Sequence, residues 1–151
     1  MRLLRKFFAL SRLERWLTLE ALLRLGLARF WVLTRRFPQV TPLLGRAGGE
    51  TPAQELPPEQ ALYAQRVAQA IHRVRRFTPW DSNCLAQAIT ARQMLRRRRL
   101  PTTVYLGAAL NDKQKAMIAH AWVRCGKRIV TGKEGMQRYG VVAKFSDEDI
   151  A

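Results

Sequence analysis

Two residues of this 151-residue chain stand where cysteine chemistry would need them, Cys84 and His120. Cys84 follows Asp81-Ser82-Asn83, three residue types that cap helices, and precedes an apolar-periodic run ended by Leu100-Pro101. That places the thiol in the first turn of a helix, where unpaired N–H groups and the helix dipole favour a thiolate. The same N–H groups can hold the oxyanion formed when a thiolate attacks a carbonyl, and the Asn83 amide is a candidate extra donor. His120 lies in Ala119-His120-Ala121-Trp122-Val123, which alternates as a strand does and puts the imidazole on the face of Trp122. An imidazole exchanges protons near neutral pH, and flanking alanines leave room for another element to approach.

Taken one at a time, these residue types are more often structural: a small semi-buried thiol, a satisfied strand histidine. Cys125, at the strand end and facing away from His120, is assigned a structural role. His72, on a helix beside Arg73, Arg75 and Arg76, is assigned no chemistry. Two cysteines and two histidines are too few for a disulfide scaffold, and no Cys-x-x-Cys or His-x-x-x-His pair is present. No metal or cofactor is expected, and a reducing cytoplasmic setting is the default.

The elements that must position the pair follow from periodicity. Residues 3–36 are rich in Leu, Arg and Ala, lack proline and read as one kinked helix or two. Residues 38–58 collect prolines and glycines and read as a linker. Pro57-Pro58-Glu59 starts a helix over 59–76, and a second helix runs from Cys84 to about Arg98. Strand signals follow at Thr103–Gly107, Ile118–Cys125, Arg128–Thr131 and Gly140–Phe145, with a polar turn over Asn111–Lys115. The acidic tail from Ser146 is expected to fray. The fold class is α+β, with a helical N-terminal region over 1–37, a linker over 38–58 and a catalytic domain over 59–151.

The net charge is +16, from 27 Lys and Arg against 11 Asp and Glu, and the excess concentrates in residues 1–37 and 64–100. Such a surface attracts polyanions: nucleic acid, anionic lipid or an acidic peptide. The Arg96–Arg99 run sits where cations complement a helix C-terminus, and it lacks the interleaved aromatics of a nucleic-acid platform, so nucleic acid is not the expected partner. The start MRLLRKFFAL is broken by Arg12, Glu14 and Arg15 and shows no signal-peptide cleavage pattern. Glu20, Arg24 and Arg29 interrupt the later apolar stretch, so no spanning helix is expected. The apolar face of 3–36 either packs on protein, as part of this chain or of a partner, or lies in a membrane interface, since Trp16, Phe30 and Trp31 sit among arginines.

Four segments, in order and spacing, resemble the transglutaminase-like leader peptidase of lasso peptide biosynthesis. They are Trp80-Asp81-Ser82-Asn83-Cys84-Leu85-Ala86, the helix ending in Leu100-Pro101, Tyr105-Leu106-Gly107, and Ala119-His120-Ala121-Trp122-Val123. Val130-Thr131-Gly132 and Tyr139–Phe145 also resemble the ends of such proteins. The likeness covers about 58–146, and the Arg/Leu-rich start fits more loosely. The resemblance implies a papain-like core, with the nucleophile at a helix N-terminus packed on a small antiparallel sheet. In it Cys84 and His120 would cleave a leader from a ribosomal precursor peptide. It further implies a separate cyclase resembling asparagine synthetase and, because residues 1–57 lack the strands of a leader-recognition domain, a separate leader-recognition protein.

One departure stands out. Where the family often carries an Asp downstream of the histidine, this chain has Thr131-Gly132, then Lys133-Glu134. Such an Asp orients the imidazole and stabilises its protonated form. Thr131 is the candidate orienter, with Glu134 and Asp112 as alternatives. Two rival functions remain at this level: acyl transfer, in which an amine takes the acyl group from the thioester, and a non-catalytic basic module that binds nucleic acid or membrane.

Overall fold

The computed structural model describes residues 1–76, 84–113 and 115–147. Helix α1 (Arg2–Phe8) and helix α2 (Arg12–Thr34) are separate because Ser11 caps the second. The Ser11 hydroxyl accepts from the Glu14 N–H at 3.3 Å, and the Glu14 carboxylate accepts from the Ser11 N–H at 2.9 Å. This reciprocal cap restarts the helix and holds Glu14 below the usual carboxylate range, chiefly through the Ser11 backbone bond. The expected break therefore falls at Ser11, and α2 runs through Gly26 without interruption.

Residues 38–58, read as a linker from their prolines and glycines, carry structure of their own. A short helix α3 (Phe37–Val40), a 3₁₀ turn over Thr41–Leu44 and a two-residue strand β1 (Arg46–Ala47) lie in this stretch, and Val40, Leu44 and Thr51 are buried. Here proline serves the first turn of each short helix, where its missing N–H costs nothing. Helix α4 (Pro58–Arg75) starts at its proline as expected, and α5 (Cys84–Arg96) opens on Cys84. The capping residues Asp81, Ser82 and Asn83, and with them Asn83 as oxyanion donor, lie outside the described residues.

Strands β2 (Thr102–Asn111), β3 (Ala116–Cys125), β4 (Arg128–Thr131) and β5 (Gly140–Ser146) join β1 in one sheet. Its order is β1-β5-β2-β3-β4, and every neighbouring pair is antiparallel. The mixed α+β class expected from the sequence is what the chain adopts. Helices α2, α4 and α5 pack on one another, and α5 lies against β2, β3 and β4. One apolar core joins them: Leu17, Ala21 and Leu25 of α2, Val67 and Ile71 of α4, Ile89, Met94 and Leu95 of α5, and Val104, Val123 and Phe145 of the sheet.

Two buried polar clusters fasten the layers. Asp147, just past β5, accepts from Arg92 of α5, from Arg96 at 2.9 Å and from Thr102 at 3.1 Å. Arg92 also donates to the Leu43 carbonyl at 2.8 Å. Ser146 and Asp147 are thus buried rather than frayed, because Ser146 pairs with Arg46 and Thr103 in the sheet and the Asp147 carboxylate is held by Arg92, Arg96 and Thr102; residues 148–151 of the tail lie outside the described residues. Arg124 of β3 donates to the carbonyls of Thr51 and Gly126 and to the Tyr105 hydroxyl, fixing the stretch before α4 to the sheet. Three arginines of the Arg96–Arg99 run are engaged within the molecule. Arg96 reaches Asp147, Arg97 pairs with Glu20 at 3.0 Å, and Arg98 lies 4.8 Å above the Tyr63 ring.

Candidate active site

Cys84 is the first residue of α5 and is half-buried, so its thiol is reachable from solvent. A cysteine there faces the first turn of the helix, whose leading N–H groups have no intrahelical acceptor. The helix behind it is buried almost throughout, from Ala86 to Leu95, which fixes its direction into the core. Cys125 is different. It is fully buried, and burial pushes its thiol up to about 12, so it stays protonated and inert at neutral pH.

His120 is placed by strand register. It pairs with Gly107 of β2, while β4 ends at Thr131 opposite Val123. The segment of β3 that holds His120 therefore runs past the end of β4, and space opens beside it. Into this space the chain turns at Gly132, with φ +76°. There His120 Nε2 lies 2.8 Å from the Gly132 carbonyl oxygen. A carbonyl can only accept, so the bonded nitrogen carries the proton, and Nδ1 is left as the basic nitrogen of the neutral ring.

This contact fills the role that the sequence left open. The Thr131 hydroxyl is buried with no hydrogen-bond partner among the described residues, so the expected orienter does not reach the ring. Glu134 lines the cleft described below, and Asp112 lies in the β2–β3 turn. Nor could an Asp stand at position 132 on this backbone. A Cβ there would lie 2.8 Å from Trp122 Cβ and closer still to the Ala121 carbonyl, and φ is in the left-handed region.

Aromatic rings hold the imidazole in place. Tyr139 stacks on His120 with centroids 5.0 Å apart, and Trp122 stacks on it at 5.8 Å. Trp122 in turn stacks on Tyr105 at 5.6 Å, whose hydroxyl bonds Glu50 and receives a 3.0 Å bond from Arg124 Nε. Gly107 makes this row possible. A Cβ at that position would fall 2.7 Å from both Trp122 Cζ3 and Tyr139 Cβ. Sequence reasoning missed Gly107, Gly132 and Tyr139 as parts of the site. Each lies in a quoted motif, but the ring contacts depend on register.

Cys84 and His120 line the same cleft, of about 1100 Å³. Its walls come from α2 (Leu25, Arg29), α4 (Ala68, His72) and its C-cap Arg76, α5 (Cys84, Gln87) and the turn from Thr131 to Glu134. The described lining is strongly cationic: Arg29, Arg73, Arg75, Arg76 and Lys133 face a single carboxylate, Glu134. His72 also lines it, with Nε2 3.2 Å from Arg76. Burial, then Arg75 and Arg76, push His72 below the usual histidine range, so it adds no charge at neutral pH. Among the described residues no three His, Cys, Asp or Glu side chains gather as a metal site.

A fold with a helix-leading cysteine and a strand-borne histidine opening on one cleft defines a class, and the family comparison agrees. The family described as the transglutaminase-like superfamily matches residues 22–144, and the chain belongs to it. This superfamily includes cysteine proteases and acyltransferases. The match begins inside α2, the helix that supplies Leu25 and Arg29 to the cleft. Comparison with curated proteins and with solved structures gave no match.

Proposed function

We propose that this protein is a cysteine peptidase that removes the leader from a ribosomally made lasso peptide precursor. A separate leader-recognition protein presents the precursor, and a cyclase resembling asparagine synthetase closes the freed amino terminus. The observation that carries the reading is the shared cleft, with Cys84 at the head of α5 on one wall and His120 on another. The motifs around both residues, on a transglutaminase-like fold, support the substrate class.

The chemistry follows from the groups present. His120 Nδ1 takes the thiol proton, and Cys84 Sγ attacks the scissile carbonyl carbon. The N–H groups at the head of α5 stabilise the resulting oxyanion, with the Asn83 amide as a proposed further donor. The imidazolium gives its proton to the departing amine as the C–N bond breaks, leaving a thioester. Water then adds with His120 as base, and the C–S bond breaks to release the acid and restore the thiol. The Gly132 carbonyl holds the ring throughout. It is a neutral acceptor, so it orients the imidazole while stabilising the imidazolium less than a carboxylate would.

Product masses test this reading. Incubation with the precursor and its recognition protein should give two fragments whose masses sum to the precursor plus one water. A cross-linked or amidated product would instead establish acyl transfer, and an unchanged precursor would remove the peptidase assignment.

A further inference from the structure

The two N-terminal helices carry an apolar surface that the other described residues leave uncovered. Helix α1 buries none of its residues, and seven residues do not hold a helix in water by themselves. Projected around its axis, Leu3, Leu4, Phe7 and Phe8 form one contiguous side and Arg2, Arg5 and Lys6 the other. In α2 the core-facing side is Leu17, Ala21, Leu25 and Ala28. The opposite side is just as apolar, with Trp16, Leu23 and Phe30 exposed at 66%, 70% and 60%. A helix apolar on both sides is normally covered on both.

The charges around this surface indicate what covers it. The two carboxylates of α2 are engaged elsewhere: Glu14 with Ser11 and Arg73, Glu20 with Arg24 and Arg97. Exposed cations stand at both ends, Arg2, Arg5, Lys6 and Arg12 at one and Arg35 and Arg36 at the other. A second copy of the chain would bring like-charged rims together, which opposes association. A layer of anionic headgroups over acyl chains takes both features at once: apolar and aromatic side chains enter the acyl boundary while Arg and Lys meet phosphates. We propose that α1 and the outer side of α2 dock this protein on membranes that contain anionic lipid. No helix among the described residues is long and apolar enough to cross a membrane, so the attachment is interfacial.

Vesicle co-sedimentation of the full chain tests this independently of any enzymatic activity. The protein should bind phosphatidylcholine vesicles containing phosphatidylglycerol, and bind pure phosphatidylcholine far more weakly. Exchanging Arg2, Arg5 and Lys6 together for Gln should weaken binding on the order of a hundredfold. The combined change Leu23→Ser, Leu27→Ser, Phe30→Ser should abolish it with an unchanged circular dichroism spectrum. Equal binding to both vesicle types, or to neither, would overturn the proposal. So would a stable dimer, or a complex with another protein, that those serine changes break while vesicle binding persists.

Discussion

His120 Nε2 and the Gly132 carbonyl oxygen lie 2.8 Å apart, so a backbone group occupies the orienting position beside the imidazole. Two consequences separate this arrangement from one built on a carboxylate. The ring tautomer is set by the path of the chain, and position 132 must stay free of a side chain.

Gly132→Asp, which would put a carboxylate in the orienting turn, should therefore damage the protein. Forcing a side chain into φ +76° beside the Trp122 backbone costs on the order of 1–3 kcal/mol. A thermal melt should show the loss, and leader cleavage should fall with it. A more active and equally stable variant would contradict the backbone assignment.

The stacked row around His120 predicts a graded response at Tyr139. Tyr139→Phe keeps the ring contact and should leave kcat within about twofold, whereas Tyr139→Ala removes an interaction of roughly 0.5–1.5 kcal/mol and should lower kcat by up to about tenfold. Gly107→Ala should mimic the second change by pushing Trp122 and Tyr139 aside. Steady-state kinetics on a leader peptide would separate these effects from changes in KM.

The two thiols should behave oppositely toward an alkylating reagent. Cys84 is half-buried and opens on the cleft, whereas Cys125 is sealed in the core and raised to about 12. Peptide mapping of briefly treated native protein should find the label on Cys84 alone. The buried thiol also has a signed effect on stability. Its folded value is raised, so the unfolded chain ionises first, and stability falls as pH climbs from the ordinary thiol value toward about 12. Cys125→Ala should lessen that alkaline decline.

Arg92→Ala should be among the most destabilising single changes. It strands the Asp147 carboxylate, whose side chain is 1% exposed, beside a partly solvated Arg96. Breaking a buried pair from one side costs roughly 3–5 kcal/mol. Denaturant unfolding would measure it, and a loss below about 1 kcal/mol would show that Arg96 and Thr102 suffice.

Much of this was legible in the sequence, because strong local signals and the fold agreed. Pro58 at a helix start, Cys84 at the head of the next helix, and the β3–β4 turn at Gly126 follow from local backbone chemistry. The packing of residues 38–58 was hidden, because Pro and Gly mark linkers and short packed turns alike. Its anchoring depends on Arg92 and Arg124, which donate to the Leu43 and Thr51 carbonyls from 49 and 73 residues away. The orienting group could not be found by scanning for residue types, since a backbone carbonyl has no letter. Only the early end of β4 and the left-handed turn at Gly132 reveal it.

If Cys84 and His120 act as one unit, three variants should behave alike. Leader removal from the precursor, followed by mass spectrometry with the recognition protein present, should be lost in Cys84→Ala and in His120→Ala, and the double variant should be no worse than either. Cleavage that persists undiminished in Cys84→Ala would show that the thiol at the head of α5 is not the nucleophile.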